Sequence, residues 1–365
     1  MLPRVSPRAF LRLSQAVTVL VVLNVASGAA VRLTGSGLGC PDWPTCSRRH
    51  VTPALSFHPL MEFSNRMVVV VLVVAIAVTA VAALARRERR RDLVWLSWGL
   101  VGGVLAEAVA GAVVVYTKLN PYVVMGHFFV GMGLLALAWV LAMRAGGPGG
   151  RGVAKVGRAD RRLAWGLVAV LALAIAAGTA TTGAGPDGGS PNAVRLPVPL
   201  DDMARTHSLI VIALGCMLLV LLYRLFRDRA PESVQHRGHV LLGALVVQGL
   251  VGYTQFFAHL PPGLVEVHEI GAAVVVVATL WFVDGLYHRG APGPGDAPGL
   301  SARVATAGEA GPAAAAGAPA VGGLAGAGVA AGHAPGEAAT AHDVPDHGRP
   351  AQGAPMSGRT AEPTR

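Results

Sequence analysis

The sequence of 365 residues is 53% hydrophobic and only 14% charged, whereas a soluble domain has about 25% charged residues. A soluble core of this size could not bury so much aliphatic surface, so the composition excludes an ordinary soluble protein and predicts an integral membrane protein. With only three cysteines, the chain is not a disulfide-rich scaffold. Whether the net charge of +10 indicates a nucleic-acid partner depends on where the basic residues lie.

Eight apolar stretches follow one another along the chain, each close to the roughly 20 residues that an α-helix needs to cross the hydrocarbon core. Every backbone group inside a bilayer must be satisfied within its own segment, so even the valine-rich runs are predicted to be helical. We predict an all-α integral membrane protein with eight transmembrane helices, located in the cell membrane. The predicted spans are residues 10–31, 67–85, 93–115, 122–143, 163–182, 206–223, 240–257 and 264–286.

The basic residues indicate how these helices are oriented. Eighteen arginines and lysines lie before helix 1 and in the loops that follow helices 2, 4 and 6, whereas seven lie in the alternate loops. Cytoplasmic loops are enriched in Lys and Arg, so both termini are predicted to be cytoplasmic. The charges therefore mark the inner membrane face, and we expect no nucleic-acid partner.

The two halves of the membrane region repeat a pattern of polar residues. His127 near the start of helix 4 and His268 near the start of helix 8 are each preceded by a polar residue 20 positions earlier, Glu107 and Gln248. Gly111 and Gly252 each lie 16 residues before these histidines, and Pro121 and Pro262 each lie six residues before them. More loosely, Asn65 lies 62 residues before His127, and His207 lies 61 residues before His268. This repetition predicts two four-helix units in the same orientation.

The repeat and the composition divide the chain into four parts. Residues 1–143 are predicted to form the N-terminal four-helix half, residues 144–160 a cytoplasmic linker, and residues 161–289 the C-terminal half. Residues 290–365 are rich in Gly, Ala and Pro and have no apolar periodicity. Such a segment cannot bury a core, so we predict a disordered cytoplasmic tail.

Three histidines form the strongest signal for a site. His127, His207 and His268 each lie near the start of an even-numbered helix, which the topology places at similar depth near the outer face. A single intramembrane histidine often only bonds a neighbouring carbonyl group, but three at equivalent positions indicate function. Two imidazoles from helices 6 and 8 would clamp a planar metal cofactor, and haem iron is favoured because zinc needs three or four close ligands.

The cysteines suggest one disulfide bond. Cys40 and Cys46 lie in the outer loop between helices 1 and 2, called loop 1, so we expect them to be bonded. Both a structural staple and a redox-active bond that exchanges electrons with the site fit this position. Cys216, in the middle of helix 6, is expected to be buried packing.

Polar residues follow loop 1 at the start of helix 2. Glu62 and Asn65 are three residues apart and so share a helical face. Two interpretations of Glu62 stay open: a carboxylate that complements the helix dipole, or an acid/base or charge-stabilising group beside a cavity of the first half.

These features together resemble the haem A synthase family. The resemblance rests on the motif VRLTGSGLGCPDWPTC at residues 31–46, the Glu62-x-x-x-Arg66 pair, the segment NPYVVMGHF at residues 120–128 and the histidines that open helices 6 and 8. It implies two pseudo-symmetric four-helix bundles. It also implies an oxidoreductase that converts the C8 methyl group of haem O to a formyl group by successive hydroxylations, with haem b as its iron cofactor.

The resemblance assigns roles to individual residues. His207 and His268 would be the axial ligands of haem b in the C-terminal half. His127 would bind the substrate haem in the N-terminal half, and Glu62 would be the catalytic carboxylate. It further implies a role beside haem O synthase in cytochrome oxidase assembly and an electron donor on the outer side. The identity of this donor stays open, and so does whether the protein forms a homo-oligomer.

One position departs from the family pattern. Many members carry a further histidine three residues after the glutamate, where this chain has Asn65, and an amide is a poor iron ligand. Either His127 holds the substrate iron from one side, or another residue substitutes, with His58 the nearest candidate. Two other functions remain alternatives: a bis-histidine cytochrome that only transfers electrons, and a transporter.

Overall fold

The computed structural model describes residues 4–47, 52–150 and 152–290. Within these ranges the eight predicted helices are present, and each is long and apolar enough to cross a membrane, so the chain is a multi-pass membrane protein. The predicted tail from residue 291 onward lies outside the described residues. The helices are Pro7–Leu33 (α1), Phe57–Leu84 (α2), Arg91–Tyr116 (α3), Pro121–Gly146 (α4), Arg158–Ala184 (α5), Leu200–Arg227 (α6), Glu232–Phe257 (α7) and Pro262–Gly285 (α8).

Capping side chains explain where two of the helices begin. The hydroxyl of Ser6 accepts a hydrogen bond from the N–H of Ala9 at 3.2 Å, and a proline follows it at the first position of α1. Asn120 and Pro121 repeat this arrangement at α4, where the Asn120 side chain accepts from the N–H of Tyr122 at 3.0 Å. Proline is favoured at this position because its missing N–H would have had no partner in the helix.

α2 begins earlier than the sequence predicted. It starts at Phe57, whereas the apolar stretch starts at residue 67. The first three turns of α2 therefore mix polar and apolar residues, and Glu62 lies inside the helix.

Within each half, every helix packs against two neighbours. α1 and α3 both pack against α2 and α4, and in the same way α5 and α7 both pack against α6 and α8. α8 also contacts α1 and α4, and α4 contacts α5, so the two sets of helices share an interface. The pseudo-symmetry of the halves and the cytoplasmic position of the termini remain predictions.

α2 illustrates how the apolar helices divide their surface. Leu72 and Ile76 are buried in the core, whereas Val70, Val74 and Val78 on the same helix are about half exposed. In water such a valine face would be unfavourable, but in a membrane it lies against lipid chains.

The connection between α4 and α5 contains structure that the sequence did not predict. Val153–Ala154 (β1) pairs with Tyr287–His288 (β2) in a two-stranded antiparallel sheet. Strands of two residues have no readable alternation of polar and apolar side chains, so no pattern in the sequence could have indicated them.

Cys216 corrects one expectation. It is a free cysteine as expected, but its side chain is exposed instead of buried. The buried face of α6 is a stripe of leucines that includes Leu214, Leu218 and Leu221, and Cys216 lies off this stripe.

Candidate functional site

Two histidines from different helices face each other in the second half of the chain. The ring centroids of His207 on α6 and His268 on α8 are 6.3 Å apart, and the ring planes are nearly perpendicular, at 84°. Nδ1 of His207 donates a hydrogen bond to the carbonyl oxygen of Ala174 at 2.9 Å. This bond orients the ring and leaves Nε2 free, as is typical of histidines that bind a metal. Nδ1 of His268 is buried and has no hydrogen-bond partner among the described residues.

Both rings line a cavity of about 550 Å³, called here the histidine cavity. The inner part of the histidine cavity is apolar, with Leu171, Leu214 and Val275 in its walls. Its rim lies at the end of the bundle where α1 ends and α6 and α8 begin, called here the loop 1 end, and includes Arg32 and Arg195. The cavity therefore has an apolar interior and a charged rim.

Two glycines allow the histidine rings to lie close to neighbouring helices. A β-carbon at Gly178 of α5 would lie 3.1 Å from Cε1 of His207, and one at Gly252 of α7 would lie 3.0 Å from Cε1 of His268. Carbon atoms in good contact are about 3.5–4.0 Å apart. A larger residue at either position would displace the ring.

The geometry of the histidine cavity fits a bis-histidine haem. An imidazole–metal bond is about 2.0 Å long, so one metal bound to Nε2 of both rings needs ring centroids about 6 Å apart once the ring radii are added. The observed separation of 6.3 Å agrees with this requirement. Haem iron is commonly held by axial histidines, and cofactor cavities of about 300–1,000 Å³ include the observed volume.

His127 lies beside a buried carboxylate. Nδ1 of His127 on α4 is 3.4 Å from Oε1 of Glu107 on α3, and Glu107 is buried. A β-carbon at Gly111 would lie 3.6 Å from Cε1 of His127, which is an ordinary contact. The lining of the histidine cavity includes Met125 and Phe128 of α4 but not His127. The structure therefore brings His207 and His268 together and keeps His127 apart from them.

Asn65 has surroundings similar to those of His207. Its Nδ2 donates a hydrogen bond to the hydroxyl of Ser27 on α1 at 2.8 Å, and a β-carbon at Gly28 would lie 3.9 Å from that nitrogen. His207 likewise lies beside a glycine of its neighbouring helix, Gly178. The two positions matched by the sequence repeat thus both face a glycine, but the amide of Asn65 is held by a hydroxyl group.

Glu62 and Arg66 hold loop 1 against α2. Oε2 of Glu62 accepts a hydrogen bond from the N–H of Cys40 at 2.8 Å, and Oε1 accepts from Nη2 of Arg66 at 2.5 Å. The same loop contains the predicted disulfide bond, Cys40–Cys46. Arg66 also donates to four carbonyl oxygens of loop 1, at 2.8–3.2 Å, namely those of Cys40, Asp42, Pro44 and Thr45. Both oxygens of Glu62 therefore have partners, which neither interpretation of the sequence foresaw.

His58 lies in the first turn of α2, one turn before Glu62. Its Nδ1 is 2.9 Å from the hydroxyl of Ser36 in loop 1, and the residue is exposed. This contact links His58 to loop 1, and its role as an iron ligand remains a prediction.

Two acidic residues lie beside the histidines without a role that the sequence predicts. In the sequence, Glu107 is only the repeat partner of Gln248. Glu269, the residue after His268, forms an ion pair with Arg32, which lies 237 positions away in the sequence. An acidic residue next to an intramembrane histidine is a readable signal, but a partner so distant in sequence is not.

Comparisons with known proteins agree with this architecture. Residues 12–186 match the family model described as cytochrome oxidase assembly protein. The chain is 34% identical over 132 residues to the Heme A synthase of Geobacillus kaustophilus and 36% identical over 126 residues to that of Geobacillus thermodenitrificans. These matches cover 35% and 33% of this chain, and about two fifths of the length of each relative, 41% and 39%.

A longer match covers about three quarters of the chain. The Heme A synthase of Shewanella oneidensis is 26% identical over 327 residues, which are 76% of this chain and 96% of that protein. The matched family model, these relatives and the eight membrane-spanning helices all support the haem A synthase family of cytochrome oxidase assembly proteins for this chain.

Proposed function

We propose that this chain is a haem A synthase, which oxidises the C8 methyl group of haem O to a formyl group by successive hydroxylations. The observation that carries the cofactor part of the proposal is the pair of facing imidazoles, His207 and His268, 6.3 Å apart on a cavity of cofactor size. His127, beside Glu107 and apart from this cavity, supports a second haem as the substrate. The names of the relatives support the same reaction.

His207 and His268 are the proposed axial ligands of haem b. The bond from His207 to the Ala174 carbonyl orients one ring, and Gly178 and Gly252 give both rings room against α5 and α7. The apolar walls exclude water from the centre of the cavity. Haem b with two histidine ligands supplies one-electron transfer.

His127 is the proposed ligand of the substrate haem. A carboxylate that accepts a hydrogen bond from Nδ1 orients an imidazole and raises its basicity. Oε1 of Glu107 lies 3.4 Å from Nδ1 of His127, which has no hydrogen-bond partner among the described residues, so a small movement would form this bond. Asn65 is bonded to Ser27, and its amide is a poor iron ligand, so we propose that the substrate iron is held from one side. A single axial ligand suits a substrate that must enter and leave. His58 remains the alternative second ligand.

Glu62 is the proposed catalytic carboxylate. Its ion pair with Arg66 and its bond from the Cys40 N–H fix its position. A fixed carboxylate would stabilise positive charge that develops on the reacting carbon, or accept a proton from it. Because both oxygens have partners, accepting a proton requires one of these bonds to lengthen. The same contacts also support a structural role in holding loop 1.

The proposed reaction implies partners on both sides of it. A haem O synthase must supply the substrate, cytochrome oxidase assembly consumes the product, and an electron donor acts from the outer side. An alternative function is a bis-histidine cytochrome that only transfers electrons. The pair His207–His268 would serve it equally well, but that function gives no role to His127 with Glu107.

Haem extraction after co-expression with a haem O synthase tests the proposal. Membranes from cells that contain both proteins should yield haem A or its hydroxylated precursor on chromatography. Cells with the haem O synthase alone should yield haem O but neither haem A nor its hydroxylated precursor. A chain that binds low-spin haem b, yet leaves haem O unchanged with an electron donor present, would be the electron-transfer cytochrome instead.

A further inference from the structure

Two of the arginines at the rim of the histidine cavity come from separate parts of the chain. Arg32 lies at the end of α1, in the first half, whereas Arg195 precedes α6, in the second half. His207 and His268 lie six to seven residues inside α6 and α8. At 1.5 Å per residue, the rings are about 10 Å deeper than the starts of these helices, and the rim is at the loop 1 end.

Arg32 is held in place by fixed partners. Its Nη1 donates to the carbonyl oxygen of Asp187 at 2.6 Å, and its Nη2 is paired with Glu269. The side chains of Arg32 and Glu269 are each 13% exposed. A guanidinium has five N–H donors, so Arg32 keeps donors for a further acceptor.

Arg195 differs because it forms no hydrogen bond or ion pair with the residues that the structure describes. Its guanidinium lies against the backbone of Gly188 and is partly buried. Burial lowers the pKa of Arg195, while the nearby Asp187 raises it and Arg32 lowers it. Arginine nevertheless stays charged. The rim thus presents a partly desolvated cation without a bonded counter-ion.

We propose that Arg32 and Arg195 form a carboxylate-binding rim that holds the propionate groups of the haem bound between His207 and His268. This inference rests on the proposed function of the histidine pair. The two propionates lie on one edge of an otherwise apolar macrocycle, which matches a cavity with apolar walls and a basic rim. Guanidinium groups bind carboxylates through paired, charge-assisted hydrogen bonds.

Other charges at the rim are compatible with this assignment. Glu269 is paired with Arg32, the carboxyl group of Asp187 lies near Arg195 without bonding to it, and Asp201 and Arg205 also line the cavity. Arg205 is highly exposed and lies 3.8 Å from Asp202 on its own helix, so it is a weaker candidate. Because Arg32 comes from α1, the haem b site of the second half is completed by a residue of the first half.

A binding titration tests the rim without requiring turnover. The full chain, prepared without haem in detergent, is titrated with haem b and with its dimethyl ester, in which the propionates carry no charge. The readout is the low-spin absorption spectrum. Arg195→Gln should raise the Kd for haem b about tenfold and leave the Kd for the ester unchanged. Arg195→Lys should recover part of the affinity.

Lys118→Gln is the matched control. Lys118 is exposed, and the next residue in its loop, Leu119, contacts Gly189 beside the rim, but Lys118 does not line the cavity. Lys118→Gln removes one positive charge, as Arg195→Gln does, and should change neither the Kd for haem b nor the Kd for the ester. Unchanged ester binding also shows that Arg195→Gln is folded. Arg32→Gln is less suitable because it leaves Glu269 buried and unpaired.

The outcomes separate this inference from the function on which it rests. If wild type and Arg195→Gln bind haem b equally well in the low-spin form, the rim is refuted and the histidine site stands. If Lys118→Gln weakens binding as much as Arg195→Gln, general surface charge explains the effect and the rim is also refuted. If the wild-type chain gives no low-spin species with either compound, the histidine site itself fails and the rim fails with it.

Discussion

Replacing Gly252 with alanine should weaken the haem site while leaving the helices intact. Gly252 lies on α7 against the ring of His268, and a β-carbon there would lie 3.0 Å from Cε1 and 3.4 Å from Nδ1. Alanine is a better helix former than glycine by about 1 kcal/mol, so the helix itself should gain stability. Any loss of haem would therefore come from the ring and not from α7.

The size of the effect follows from the contact distance. The ring must move by roughly 0.5–1 Å to reach an ordinary contact of about 3.5–4.0 Å. Over-packing of this kind costs about 1–3 kcal/mol, which corresponds to a loss of haem affinity of roughly five- to 150-fold. The displaced ring also tilts the axial bond, so part of the bound haem should become high-spin.

Absorption spectra of the purified variant, titrated with haem b, measure both effects. Gly243→Ala is the matched control, because it lies on the same helix and a β-carbon there would meet no atom within 4 Å. It should bind haem b as tightly as wild type, and thermal unfolding should show both variants folded. A Gly252→Ala protein with wild-type affinity and a fully low-spin spectrum would refute the argument that His268 binds iron in the position the structure gives it.

Further variants test the first half of the chain. Glu62→Gln should keep haem b and lower the oxidation of haem O about 10²–10⁴-fold, as measured by haem chromatography. If Glu62 is catalytic, Arg66→Gln should keep more activity than Glu62→Gln. Equal losses in the two variants would assign both residues to holding loop 1. His127→Ala should retain the low-spin haem b spectrum and abolish product, and Asn65→Ala should cost far less; loss of the low-spin spectrum in His127→Ala would reverse the assignment of the two halves. His58→Ala should leave product formation near wild type if the substrate iron is held from one side, and an effect as large as that of His127→Ala would make it the second ligand.

The number and order of the helices could be predicted because lipid imposes a simple rule on composition. The start of α2 could be predicted only in part: Glu62 and Asn65 are expected to share a helical face there, but the apolar stretch begins at residue 67 and the helix at Phe57. Glu62, Asn65 and Arg66 are tolerated in the helix because their side chains bind loop 1 and α1. A hydropathy pattern identifies the part of a helix that contacts lipid. It therefore underestimates the length of a helix whose polar end packs against protein.

The site could be predicted in part because its polar residues recur at the same spacing in both halves of the chain. Repeat offsets matched His127 with His268 and Asn65 with His207, and the structure gives each of these residues a glycine neighbour on an adjacent helix. The partners of Glu62 and Arg32 were not predictable, because they depend on how loop 1 folds and on contacts between helices far apart in sequence. Periodicity indicates which face of a helix is polar, but it cannot identify what lies opposite.

The differences between the matched positions suggest how one scaffold would serve two haem groups. In the second half, Gln248 donates a hydrogen bond to the backbone carbonyl oxygen of His268 at 2.7 Å, which is a neutral contact that leaves the imidazole itself unpaired. In the first half, Oε1 of the equivalent Glu107 lies 3.4 Å from Nδ1 of His127, although this nitrogen too has no hydrogen-bond partner among the described residues. A carboxylate that accepted a hydrogen bond from the imidazole would make it a stronger donor to iron, which would compensate for an absent second ligand. The neutral pair His207 and His268 needs no such support, because each ring would share the iron with the other.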